Sequence, residues 1–118
     1  MGLTKATGEY SHTEGLQTTA SGNTSHAEGT STRAWGSSSH AEGDNTTAYG
    51  ASSHAEGSYT TASGDGSHAE GYLTTASGGL GAHAEGGSTT ASDIGAHSEG
   101  SVTIASGYAS HEIGRASC

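Results

Sequence analysis

Histidine and glutamate recur along the chain at a spacing that could support acid–base chemistry, metal binding or hydrogen bonding. The eight histidines are separated by steps of 14, 14, 14, 14, 15, 14 and 14 residues. Glutamate stands two residues after each of the first seven, and isoleucine stands there after the eighth. Imidazole and carboxylate groups can transfer protons and bind transition metals. We call this set the ladder: His12, Glu14, His26, Glu28, His40, Glu42, His54, Glu56, His68, Glu70, His83, Glu85, His97, Glu99, His111 and Ile113.

The ladder belongs to a repeat that fills the chain. One clean copy runs from Ser53 to Gly64 and joins Ser-His-Ala-Glu-Gly to Thr-Thr-Ala-Ser-Gly through two linking residues. A fixed short period predicts a stacked-repeat architecture. Both ends of the sequence interrupt a copy. We therefore expect residues 1–118 to form one repeat domain of about eight coils that is part of a longer protein.

Composition limits the classes of protein that fit. Only 29% of the residues are hydrophobic, mostly alanine, and the net charge is −9. Such a composition favours disorder, but a disordered tract has no reason to hold one register over eight copies. The three basic residues argue against nucleic-acid binding. No apolar run is long enough to span a membrane. The single cysteine, Cys118, could link chains but cannot form a disulfide within one.

The repeat predicts β-structure. Glycine recurs about every seventh residue among serines and threonines, which disfavours helix. We predict two five-residue strands per copy, Ser53–Gly57 and Thr60–Gly64 in the clean one, with a positive φ at the closing glycines. Two strands and two turns form one coil of a parallel β-solenoid, with coils stacked roughly 4.8 Å apart.

Side-chain alternation assigns the faces of each strand. Ser53 and Ala55 should point into the coil, whereas His54 and Glu56 point out. On the second strand, Thr60 and Ala62 should point inward. The outward positions of the second strand vary among copies, but the ladder hardly changes. We infer that something contacts the ladder.

Two irregularities fall in turns. The stretch from Gly78 to His83 carries one extra residue, and we expect a local bulge that keeps the register. Asp93 replaces the glycine that closes the second strand of the seventh copy. Aspartate tolerates the left-handed conformation that we predict at this position.

The repeat resembles the head repeats of YadA-type trimeric autotransporter adhesins, whose unit is Asn-Ser-Val-Ala-Ile-Gly-x-x-Ser-x-Ala-x-Gly. In the clean copy, the residues that match this unit are Ser53, Ala55, Gly57, Thr60, Ala62 and Gly64. The match extends over nearly the whole chain. The repeat is also similar to Ser-His-Ala-Glu-Gly repeats of phage tail appendages and Gram-positive surface proteins. The resemblance implies a left-handed parallel β-roll that assembles as a homotrimer. It also implies that the ladder, which replaces the family's valine and isoleucine, lies between the chains. Ile113 supports this alignment.

The ladder glutamates need compensation if that face is buried. Two carboxylates about 5 Å apart repel by roughly 3 kcal/mol at an effective dielectric near 20. We expect each glutamate to accept a hydrogen bond from a histidine of a neighbouring coil or chain. We also expect the paired histidines to hold their protons more readily than in the unfolded chain. Metal binding by the His/Glu ladder at the trimer axis is the alternative, although we predict no cofactor.

Other functions have less support. Ser53 and His54 should point to opposite faces, which argues against a catalytic dyad, and we expect no enzyme activity. Outward threonines could form an ice-binding array, but other residues interrupt them: the threonines are Thr19, Thr47, Thr61, Thr75 and Thr90. Candidate contacts for a host receptor or glycan are Arg33, Trp35, Tyr49, Tyr59 and Tyr72. The repeat therefore predicts a structural rod, and the resemblance implies that it is an extracellular segment of a phage tail or a bacterial surface adhesin.

Overall fold

The computed structural model describes residues 3–114, which form two parallel β-sheets and no helix. Each sheet has eight strands within this range, one from each coil. Consecutive coils add one strand to each sheet, so the chain is a β-solenoid with a period of about 14 residues. The long axis measures 45 Å and the thickness only 12 Å. The predicted parallel β-solenoid is confirmed.

The first strand of each coil carries the ladder. These strands are β2 His12–Leu16, β4 His26–Thr30, β6 His40–Asp44, β8 His54–Ser58, β10 His68–Tyr72, β12 His83–Gly87, β14 His97–Ser101 and β16 His111–Ile113. The second sheet contains β1 Lys5–Ala6, β3 Thr19–Ala20, β5 Arg33–Ala34, β7 Thr47–Ala48, β9 Thr61–Ala62, β11 Thr75–Ala76, β13 Thr90–Ala91 and β15 Ile104–Ala105.

The strands of the second sheet are shorter than predicted. They span two residues rather than five, because the backbone turns directly after the alanine. The N–H groups of Ser63 and Gly64 both point at the carbonyl of Ala76, at 2.8 and 3.4 Å. Two successive donors that share one acceptor end the regular pairing.

The interior between the sheets is made of small side chains. Ala55, Ala62 and Thr60 are fully buried, and Ser53 is almost fully buried. The predicted alternation is therefore confirmed for both strands. Ser53 Oγ donates to the carbonyl of Gly50 at 2.7 Å, which satisfies its hydroxyl inside the coil.

Both closing glycines lie too close to the next coil for a side chain, since a Cβ at Gly57 would be 2.1 Å from the carbonyl oxygen of Gly71, but only one of them has a positive φ. Gly57 has a φ of 107°, as predicted, because side chains rarely adopt this conformation. Gly64 does not have a positive φ, so the prediction is wrong there. A Cβ at Gly64 would lie 1.6 Å from the carbonyl oxygen of Gly78 in the next coil. Close stacking of the coils therefore demands glycine at this position.

Left-handed backbone occurs at residues that the sequence did not mark. Tyr59 has a φ of 57° and Ser52 has a φ of 56°. Equivalent turn residues recur every seven positions, and many are neither glycine nor asparagine. The N–H of Tyr59 donates to the carbonyl of Asp44 in the preceding coil at 2.9 Å. Stacking holds these turns in a conformation that costs energy in isolation.

The two irregularities are absorbed within the second turn. His83 pairs in register with His68, so the predicted bulge is confirmed and Gly79 is the extra residue. The left-handed prediction for Asp93 is wrong, since its φ is not positive. Asp93 Oδ1 instead accepts from the N–H of Ile94 at 2.7 Å.

Arg115 and Cys118 lie outside the described residues. Residues 3–114 include no helix long and apolar enough to cross a membrane.

Candidate functional site

The ladder forms a continuous column along the first sheet. Parallel pairing places His54 beside His68 and Glu56 beside Glu70, and the same register holds along the whole sheet. From His26 to His111 the imidazole rings stack with centroids 4.5 to 4.8 Å apart and planes within 5° of parallel. The ring of His12 is turned by 88° from its neighbour. The strand spacing thus sets the spacing of the chemical groups.

Each interior histidine lies between two carboxylates of its own chain. His68 Nε2 is 3.5 Å from Glu56 Oε1 in the preceding coil and 3.3 Å from Glu70 Oε2 in its own coil. The other ladder contacts fall between 3.3 and 4.0 Å. His97 Nε2 and Glu85 Oε1, at 3.4 Å, are within hydrogen-bond distance. Within residues 3–114, the predicted hydrogen bond between neighbouring coils is present for this pair, whereas Nε2 has no hydrogen-bond partner in His26, His40, His54, His68 and His83. Pairing between chains stays a prediction.

The ladder is half-buried along the middle of the roll. The side chains of His54 and Glu56 are 34% and 33% exposed, whereas that of His12 at the end is 63% exposed. Neighbouring coils supply this burial, because the ladder lies on the outside of the sheet. An interior copy is thus shielded by the copies before and after it.

Burial changes the proton affinity of two histidines in the direction opposite to our prediction. The pKa of His68 and the pKa of His83 are both lowered from the ordinary value, first by burial and then by neighbouring imidazoles. The attraction of Glu70 and Glu85 acts the other way but is smaller. A stacked imidazole loses water on both faces, which disfavours the charged form. The prediction that pairing retains the proton is wrong for these two residues.

The carboxyl of Glu42 has a lowered pKa. The largest cause is side-chain hydrogen bonding with Glu56 in the next coil, and burial opposes it. Further lowering comes from Glu28, His40 and His54. Partners on both sides therefore favour the charged carboxylate at this position.

An open groove of about 1280 Å³ runs beside the ladder. It is lined by the ladder glutamates, by the glycine that follows each of them and by Ile113. Ile113 pairs in register with Glu99, as its sequence position predicts, and its side chain is 63% exposed. The glycines are a part of this surface that sequence reasoning missed. Their invariance at the position after glutamate was the available signal.

The opposite side of the roll, which we call the threonine face, carries the variable positions. The threonines pair in register along the second sheet, and Arg33 and Ile104 occupy the same column. Trp35 and Tyr49 lie beside that column, and their rings stack 6.4 Å apart at 23°. Half of each of these two side chains is exposed.

The candidate surface contacts do not form one site. Tyr59 lies in the first turn and Tyr72 is the last residue of β10. Their ring centroids are 6.3 Å apart at 84°, away from the pair on the threonine face. The second turn carries a further apolar column that was missed, made of Leu80, Ile94 and Tyr108. Aligning the residues after each closing glycine would have revealed it.

The positions of Ser53 and of the ladder residues limit the chemistry that this surface can support. Ser53 is buried and bonded to Gly50, so it diverges from His54 as predicted. Histidine–glutamate–histidine groups from adjacent coils place one ligand atom of each residue within 4.8 Å of the others, for example His68, Glu70 and His83. The ladder is thus the surface of the described chain where metal ligands gather.

Comparisons with known proteins do not assign a function to the chain. No family model, curated protein or solved structure matches the chain.

Proposed function

We propose that this chain is a non-enzymatic structural segment of an extracellular trimeric fibre, as the resemblance to YadA-type head repeats implies. Three left-handed rolls associate through their ladders and form a stiff spacer or head for attachment to a host surface. The parent is a phage tail appendage or a bacterial surface adhesin. The uniformity of the ladder carries this proposal, since it is the surface whose side chains hardly change from coil to coil.

The thinness of the roll supports assembly. The thickness is 12 Å, and the buried apolar residues are all alanine within residues 3–114. Small interiors of this kind bury little apolar area for each residue, and such domains usually need additional stabilisation. Packing three ladders around one axis would bury the groove and the half-exposed imidazoles. Coil stacking supplies backbone hydrogen bonds along the fibre.

The remaining surface supports the attachment role. Trp35 and Tyr49 stack on the threonine face, which stays outside in such a trimer. Exposed aromatic side chains combine an apolar ring with a polar group and suit contact with a glycan or receptor. In this proposal, the outer face contacts the host surface and the ladder forms the contact between the chains.

The mass in solution tests the assembly. We expect sedimentation equilibrium to give about three times the chain mass of 11.5 kDa. The combined change His54→Ala, His68→Ala and His83→Ala should weaken the trimer and lower its melting temperature. A matched control replaces the outward residue of the same coils through Thr61→Ala, Thr75→Ala and Thr90→Ala, and should leave the mass unchanged.

Two outcomes contradict the proposal. A folded wild-type chain that sediments as a monomer would show that no assembly is needed. Equal behaviour of the ladder variant and the threonine variant would show that the ladder does not form the contact.

A further inference from the structure

Each interior ladder histidine offers one nitrogen that faces two carboxylate oxygens. For His97 these are Glu85 Oε1 at 3.4 Å and Glu99 Oε2 at 3.3 Å, and for His68 the two distances are 3.5 and 3.3 Å. Within residues 3–114, the Nε2 atoms without a hydrogen-bond partner and shielded from solvent belong to His26, His40, His54, His68 and His83. Buried nitrogens without a partner are uncommon and call for an explanation.

These distances match the ligand spacing of a small divalent ion. Ligands at about 2.0 to 2.1 Å in a tetrahedral site lie roughly 3.3 Å from one another. The nitrogen–oxygen separations around His68 and His97 are close to this value. Imidazole and carboxylate are also ligands that zinc accepts. Each set therefore offers one nitrogen and two oxygens, and the glutamates of each set also line the open groove.

Two histidines cannot share one such ion without moving. Adjacent rings are parallel and 4.8 Å apart in the middle of the roll, which holds corresponding nitrogens about equally far apart. Two nitrogens bound to one zinc ion can be at most about 4.2 Å apart. An ion therefore takes one histidine and the glutamates on either side of it, rather than two histidines and one glutamate.

We propose that the ladder binds zinc-class divalent ions on alternate coils, each held by one histidine and the two flanking glutamates, at His40, His68 and His97. The two carboxylate oxygens of a ladder glutamate face different histidines, as Glu70 does with His68 and His83. Ions on adjacent coils would be one coil spacing apart and would share a carboxylate. Filling every second coil doubles the separation and halves the repulsion between ions.

Charge and distance indicate which of the two alternating sets of coils binds the ions, and we call each such set a register. Three divalent ions bring six positive charges to the seven ladder glutamates, which nearly neutralises the column. The register with His68 and His97 contains the two tightest sets. The other register contains His83, whose Nε2 is 4.0 Å from Glu70 Oε1. The proposal requires the roll and applies to a monomer and a trimer alike, so it is independent of the proposed assembly.

Zinc stoichiometry is the first test. We expect the full chain, equilibrated with zinc chloride and passed through gel filtration, to retain about three zinc ions by elemental analysis. The ladder variant Glu70→Gln, Glu99→Gln should bind zinc at least about tenfold more weakly by calorimetry. The control Glu9→Gln, Glu112→Gln removes the same charge outside the ladder and should bind like the wild type. Circular dichroism establishes that both variants remain β-structured.

Histidine variants test the register. Changing His40, His68 and His97 to alanine should weaken zinc binding, whereas changing His26, His54 and His83 should leave three ions bound. Equal loss in both variants would overturn the alternate-coil assignment. No retained zinc in the wild type, or identical binding by the ladder and control glutamate variants, would overturn the site itself.

Discussion

Each coil contributes one strand to the ladder face and one to the threonine face, and the two faces differ in how strictly their side chains repeat. The ladder keeps histidine in every coil, and its rings stack on one another along the roll. The threonine face admits Arg33 and Ile104 in the threonine column and Trp35 and Tyr49 beside it. The backbone spacing is the same on both faces. The stricter repetition is therefore not a requirement of the backbone. Contacts along the column couple each ladder residue to the coils on either side, and the proposed packing of three ladders would add a second constraint on the same residues.

The largest expected effect comes from substitutions that disturb the backbone stacking shared by both faces. Gly57→Ala and Gly64→Ala each place a Cβ about 2 Å or less from a carbonyl oxygen of the next coil. We expect each to reduce the free energy of unfolding by more than about 3 kcal/mol or to prevent folding. The control Gly87→Ala meets no atom within 4 Å in the described chain and should cost less than about 1 kcal/mol. Chemical denaturation followed by circular dichroism measures all three. A mild effect at only one of the two glycines would show that the faces differ already in backbone stacking.

Acid should weaken the ladder specifically. A histidine with a lowered pKa binds fewer protons when folded, so its contribution is complete above the unfolded pKa of about 6.5 and is lost as the pH falls through it. This applies to His68 and His83. The lowered pKa of Glu42 acts in the same direction, but its contribution is complete above the ordinary carboxyl value of 4.5 and is lost only at lower pH.

The measurement is the unfolding midpoint between pH 8 and pH 5 with a chelator present. We expect the midpoint to decrease toward pH 5, and the decrease to be smaller after His68→Gln and His83→Gln. The matched change Thr75→Gln and Thr90→Gln on the other face should retain the full decrease. A midpoint that rises toward pH 5 would instead favour charged histidine–glutamate pairs.

A smaller effect is expected in the interior between the faces. Within residues 3–114, Thr60 Oγ1 is buried without a hydrogen-bond partner. In the seventh coil Ser98 replaces the usual alanine, and its hydroxyl lies 2.6 Å from that of Thr103. We expect Ala55→Ser to raise the free energy of unfolding by about 1 kcal/mol. Ala62→Ser, on the threonine strand of the same coil, is the comparison and should not stabilise the roll. Thermal unfolding distinguishes the two, and destabilisation by Ala55→Ser would refute this explanation of Ser98.

The smallest effect should come from the threonine face itself. Trp35 is 49% exposed and contacts Tyr49, so Trp35→Ser should change the free energy of unfolding by less than about 0.5 kcal/mol. Thermal unfolding of this variant beside His54→Ala compares one residue from each face. A loss above about 1 kcal/mol at Trp35 would remove the contrast between the faces.

Much of the fold follows from the period and the alternation. Serine, alanine and threonine positions such as Ser53, Ala55 and Thr60 were assigned to the interior because strand side chains alternate. The register across Gly79 was predictable because the extra residue lies among glycines in a turn. The site itself was only partly predictable. The ladder residues could be identified, but the sign of the histidine pKa change depends on how far stacked neighbours exclude water.

The sequence by itself determined the number of coils, the inward and outward positions and the alignment of the ladder, because a 14-residue period with alternating small residues admits one stacking register. Tertiary structure decided the features that depend on the close stacking of the coils. It made Gly64 necessary through the carbonyl of Gly78, held Tyr59 in a left-handed turn, and placed each imidazole between two carboxylates. Apart from the contact of each histidine with the glutamate of its own coil, these features depend on contacts between residues 12 to 15 positions apart. Their distances are set by the stacking of coils, and local sequence preferences do not contain them.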